Sequence, residues 1–212
     1  FTAGLSESEK IIENELRSAL HEISESYGQL SLQTVDFSKK LSSSIEGRAG
    51  KLGLSLSELH QHPHLLEEII SGEYDQALFA LRLAKCSGVF FILNATINPP
   101  LAHAANSRAG LYLKNMEPNV ISDSAPNIII LRGFPGISRK RSLALHAQWS
   151  MEFEISNAPY YHSPMAAASE NPLLPRSRLY FWSDALKLPG TSEEVMLCAA
   201  PLIDSTGCIF GV

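Results

Sequence analysis

From Ser6 to Ile45, apolar residues recur at Ile12, Leu16, Leu20, Ile23, Tyr27, Leu30, Phe37, Leu41 and Ile45, with Thr34 in the remaining slot. The steps are threes and fours, the period of a helix with a single apolar stripe. Ser6-x-x-Glu9 ahead of the run has the form of a capping box, and Gly28 is a place for a bend. At about 1.5 Å per residue, some forty residues reach roughly 60 Å, well beyond an ordinary globular helix. Such a stripe needs cover along its whole length. The rest of the chain covers one part, and the spacing predicts a parallel homodimer through the other.

After Gly47 and Gly50 the period breaks. Helices are expected at Pro63 to Ile70 and Glu73 to Cys86, with Gly72 between them and Gly88 as the stop. The pattern then turns β-branched and aromatic. Val89 to Leu93, Gly110 to Leu113 and Asn127 to Leu131 read as strands. Ser138 to Trp149 reads as a helix leading into a strand at Met151 to Ile155. Asn157 to Pro175 shows no clean period and is expected to be a long ordered loop, a type of segment that is usually functional. Arg178 to Ser183, Val195 to Ile203 and Cys208 to Val212 complete the strands, the last two joined by a tight turn at Asp204-Ser205-Thr206-Gly207. The reading is α+β in three parts: a signalling or dimerisation helix over 1–50, a helical connector over 51–87, and an antiparallel sheet domain over 88–212. Phe1 runs into the helical pattern without a start methionine and Gly211-Val212 reads as an interrupted strand, so a longer parent protein is expected.

The 212 residues suffice for a real core. A formal charge of −5, dispersed in short alternating patches, argues against a nucleic-acid partner. The one basic run, Arg139-Lys140-Arg141, reads as a solvated helix start or turn. Cys86, Cys198 and Cys208 lack metal spacing and read as buried free thiols, with a Cys198–Cys208 cross-strand disulfide as the alternative. No stretch approaches the eighteen or so apolar residues of a membrane span.

The segment Val195 to Val212 resembles the closing hairpin of a Cache-type, PAS-like sensor domain: a strand ending in Pro201-Leu202-Ile203-Asp204, a turn through Gly207, and a strand ending in Gly211-Val212. Leu179 to Ser183 resembles the strand before it, Val89 to Asn98 the first strand, and the long helix the family's membrane-proximal helix. The resemblance implies a single Cache module: a long helix on a PAS-like antiparallel sheet, acting as the extracytoplasmic ligand sensor of a bacterial transmembrane receptor. Membrane anchors and an output such as a histidine kinase, a diguanylate cyclase or a helix-turn-helix regulator would lie elsewhere in the parent, and this part would not be an enzyme. The Arg and Trp-Tyr order of the family's amino-acid binders is not reproduced. A ligand-free structural or dimerisation module and a cytoplasmic PAS-like sensor stand as alternatives.

Residue chemistry points the same way. His60, His62 and His64 are metal-like in type, but no acidic or Cys neighbour completes a site, and a polar connector is the simpler reading. No cofactor motif is present. No Gly-x-Ser-x-Gly elbow marks a nucleophile, Gly133-x-x-Gly136 lacks the context of a phosphate loop, and Glu152 with Glu154 reads as a solvated strand edge. Polar and aromatic groups crowd one region: Trp149, Tyr160, Tyr161, His162, Arg178, Tyr180, Trp182 and Asp184. Aromatic walls with a few convergent polar groups make a small-molecule site, and an Arg can hold a carboxylate through paired hydrogen bonds. The expected ligand has an anionic or hydrogen-bonding head and sits between the sheet and the Asn157 to Pro175 segment, against Tyr160, Tyr161, Arg178 and Trp182.

Overall fold

The computed structural model describes residues 2–118, 127–187 and 193–212. The stripe forms one helix, α1 (Thr2–Lys51), which begins ahead of the expected cap at Ser6 and passes through Gly28 without a break. Its two halves differ in surroundings. Ile12, Leu16, Leu20 and Ile23 are 64, 60, 58 and 54% exposed, whereas Leu41, Ile45 and Ala49 are fully buried. The buried half packs against α2 (Leu66–Gly72) and α3 (Tyr74–Ala84), which follow two short 3₁₀ turns at Leu56–Gln61 and Pro63–Leu65. Lys85, in the left-handed conformation at φ 50°, ends α3 and turns the chain into the sheet.

The main sheet runs β1 (Gly88–Ile92), β2 (Ser107–Asn115), β3 (Ile128–Arg132), β4 (Ala144–Ser150), with β5 (Glu152–Glu154) paired to the first part of β2. The pairings β1–β2, β2–β3 and β2–β5 are antiparallel and β3–β4 is parallel, so the expected antiparallel sheet is mostly but not entirely so. The alternation of β2 assigns its residues to two cores. Ala109, Leu111 and Leu113 join α1, α2 and α3, while Tyr112 joins Ile92, Leu131, Phe153 and Tyr161 on the other face. The first core draws on the helix, the connector and the sheet alike.

Three expectations from the sequence are overturned. Ser138 to Trp149 is not a helix: α4 (Pro135–Arg141) stops at Ser142, φ 54°, and the rest is β4. Within 142–149 only Leu143, His146 and Trp149 are partly covered. This period of three imitates a helix because β4 is an edge strand with a register break opposite Ile130 and Arg132. Asn157 to Pro175 is not an irregular loop but carries α5 (Pro159–Glu170), whose backbone groups find their partners within the helix. The expected strand Arg178 to Ser183 reduces to a 3₁₀ turn at Arg176–Arg178 and a two-residue β6 (Phe181–Trp182).

The last segment is pieced together from β7 (Leu186–Lys187), β8 (Glu194–Val195), β9 (Cys198–Ala199), β10 (Leu202–Ile203) and β11 (Ile209–Gly211). β6 pairs with β9, β7 with β8, and β10 with β11 across the expected Asp204 turn. Asp204 Oδ1 accepts from the amides of Thr206 and Cys208 and from the Thr206 hydroxyl, which fixes that turn. Ile92 and Val212 exchange backbone hydrogen bonds at 2.8 and 2.9 Å, bringing β11 alongside β1. Gly211 is required there, since a Cβ would collide with the Ile92 carbonyl oxygen. α1 grips the same hairpin through hydroxyls: Ser38 Oγ donates to Pro201 O at 2.6 Å, and Ser42 Oγ accepts from Ile203 N at 3.1 Å. All three cysteines are free thiols and half-buried, so Cys198 and Cys208 are unpaired but less enclosed than expected. Met196 beside them is exposed.

Candidate functional site

An open groove of about 680 Å³ lies where the end of β1, the start of β2 and α5 meet, lined among others by Asn94, Arg108, Tyr161, His162, Met165 and Ile209. Arg108 enters at the second residue of β2 and is held from several sides. Its Nε donates to Asn94 Oδ1 at 3.1 Å, and its Nη1 donates to the carbonyls of Ala104, Ala105 and Ser107. Those carbonyls belong to the 3₁₀ turn Ala104–Asn106 and the residue that follows it. A guanidinium braced in this way loses little side-chain freedom on meeting a ligand.

Tyr161 reaches the same point from α5, and its hydroxyl donates to Asn94 Oδ1 at 2.9 Å. Burial pushes that hydroxyl above its usual pKa, partly offset by the charge and hydrogen bonding of Arg108, so Tyr161 is a neutral donor at physiological pH. His162 is exposed next to it, with its ring edge-on to Tyr161 and Nε2 donating to Ile155 O at 2.7 Å. That bond leaves Nδ1 as the acceptor of the neutral ring. Met165 and Ile209 supply apolar wall. One fixed cation beside a phenol and an imidazole, over an apolar floor, suits a small polar molecule with an anionic group.

Glu152 ties down the neighbouring loop. Its carboxylate accepts from Ile97 N at 2.7 Å, from Thr96 Oγ1 and from Ser107 Oγ, so it is a structural brace and not a solvated edge. Glu154 is exposed, and its hydrogen bonds from Ser156 hold its carboxyl below the usual range.

The residues grouped by sequence divide among three places. Tyr160 and Tyr161 lie on α5, but Tyr160 faces the second core, edge-on to Phe90 with ring centroids 5.7 Å apart. Trp149 packs on the first core and donates from Nε1 to Gly133 O at 3.0 Å, away from the groove. Trp182 stands against α1, its ring 4.7 Å from that of Tyr27 and its Nε1 bonded to Ser31. Tyr180 and Asp184 flank β6 and are exposed. Arg178 is exposed at the end of its 3₁₀ turn and does not line the groove. Asn94 and Arg108, which do, carried no sequence signal beyond an Arg in a loop-to-strand junction.

His62 and His64 place their rings edge-on, 5.9 Å apart. Among the described residues no group of three or more His, Cys, Asp or Glu is arranged to hold a metal ion, and no helix is long and apolar enough to cross a membrane. No protein-family model matches the chain, and no match was found among curated proteins or solved structures.

Proposed function

We propose that this chain is the ligand-sensing part of a membrane-anchored receptor, built as a Cache-type module, and that its ligand is a small molecule with an anionic head bound in the groove over Arg108, Asn94 and Tyr161. The observation that carries the reading is the bracing of Arg108 by Asn94 and three backbone carbonyls next to the buried Tyr161. A long helix gripping a sheet and its closing hairpin supports the module reading, since it offers a rigid path from a ligand site to a distant output. The role is binding rather than catalysis, outside the cytoplasm, with the anchors in the parent protein. The exposed stripe from Ile12 to Tyr27 supports pairing with a second copy of the helix.

A thermal-shift and calorimetric screen of small carboxylates and related metabolites tests the groove. A hit is expected to lose about 1.5–3 kcal/mol of binding free energy in Arg108→Ala, roughly tenfold to a hundredfold or more in affinity. Arg178→Ala is expected to bind as the parent does. A hit of equal affinity in the parent and Arg108→Ala overturns the assignment.

A further inference from the structure

A second cavity lies between α1, α3, β1 and the 195–200 segment, and it opens to solvent past the exposed Phe79 and Leu83 of α3. It has a volume of about 140 Å³. Phe37 and Leu41 of α1, Phe79 and Leu83 of α3, Phe91 of β1 and Leu197 are among its walls. Three of the hydroxyl and thiol groups in its wall are already used. Thr34 Oγ1 donates to Leu30 O at 2.8 Å, Cys86 Sγ donates to Gly88 O at 3.0 Å, and Ser38 Oγ is spent on Pro201. Among the described residues no buried side-chain polar atom is left without a hydrogen-bond partner. Water entering this space would find few partners. An apolar cavity of roughly 150 Å³ stays dry and takes up benzene or xenon.

We infer that this cavity is a binding site for a small apolar molecule, of the size of a single aromatic ring or a short aliphatic chain. The volume suits nothing much larger, and the two charged residues of the wall, Asp36 and Lys40, are paired with each other at 2.7 Å. The groove over Arg108 and this cavity share no lining residue, so the inference stands apart from the proposed function. Its position matters to the long helix. The wall on α1 begins at Leu30, where the exposed stripe gives way to the covered one, and an occupant there would brace α1 against α3.

The chain carries its own reporters. Cys86 and Cys198 line the cavity and Cys208 does not. Native thiol labelling, resolved by residue, is measured with and without benzene. At benzene ten times its dissociation constant, labelling of Cys86 and Cys198 is expected to slow about tenfold, with Cys208 unchanged. Ala80→Leu, which adds side-chain volume to the cavity wall, is expected to abolish the effect. Leu83→Ala, which enlarges the cavity, is expected to shift the preference from benzene to butylbenzene, and it serves if the filled variant does not fold. Arg108→Ala is expected to keep the benzene response, so the groove and the cavity fail separately. Equal slowing at all three cysteines, no slowing at any, or an undiminished response in a folded Ala80→Leu protein overturns the inference.

Discussion

Trp182 Nε1 donates to Ser31 Oγ at 2.9 Å, joining β6 to the long helix across 151 residues of sequence. The same indole packs on Tyr27, the last residue of the exposed stripe, and Tyr27 donates its hydroxyl to Met196 Sδ at 3.2 Å. The contact therefore sits where α1 leaves the domain.

Removing only the hydrogen bond, as in Trp182→Phe, is expected to cost about 0.5–1.5 kcal/mol in urea unfolding, since the aromatic contact with Tyr27 survives. Trp182→Ala removes both and is expected to cost about 2–3 kcal/mol, less than the truncation of a fully buried ring because this one is half exposed.

Glu73, 1% exposed, accepts from Ser44 Oγ at 2.9 Å and from Arg48 Nε at 3.1 Å, tying the start of α3 to α1. Arg48→Ala leaves that carboxylate buried with one fewer donor. About 1.5–3 kcal/mol of destabilisation is expected, held below the buried-pair figure because the Arg48 side chain is a third exposed. Chemical denaturation checks the magnitude. Arg48→Lys, which lacks the second contact to Gly72 O, is expected to restore only part of the loss.

Acid stability is expected to depend on the β10–β11 turn. Burial pushes the Asp204 carboxyl up, but hydrogen bonds from Thr206, Cys208 and Gly207 outweigh it and hold the pKa below the usual value. A carboxyl depressed on folding contributes stability that is fully present above its unfolded pKa, near 3.9, and is lost as pH falls through the folded value. Unfolding midpoints measured from pH 5 downward should therefore drop. Asp204→Asn should flatten part of that slope, with the remainder owed in part to Glu154, which is depressed as well.

If the exposed stripe pairs two copies, Leu16→Glu and Leu20→Glu together are expected to shift sedimentation from dimer to monomer while leaving the circular dichroism of the sheet unchanged. A protein that is already monomeric at millimolar concentration removes the pairing from the account.

Features set by neighbours in sequence were legible before the structure. The α1 stripe, the run Val89 to Leu93 and the Asp204 turn each declare themselves through local periodicity or a local side-chain to backbone bond. α5 did not, because Pro164 lies inside it and its alanines and serines blur the contrast between faces. Pro164 is the sixth of the twelve residues of α5, and it removes the amide that would bond the Tyr160 carbonyl. Of the polar and aromatic residues grouped by sequence, Tyr161 and His162 line the groove and Arg178 does not. Arg178 drew attention as part of an expected strand with Trp182, and Arg108 did not. Asn94 and Arg108 meet only when β1 and β2 pair, and no local pattern announces that meeting.

The exposed half of α1 is in mechanical terms a lever. From Glu7 to Ser26 it extends roughly 30 Å beyond the contacts of Tyr27 that hold it, at about 1.5 Å per residue. With Ser31 and Trp182 as the fulcrum, a tilt of about 5° at the domain moves the far end by about 3 Å over that length. Displacements too small to alter any strand pairing would thus arrive at the other end of the helix as shifts comparable to the width of a side chain.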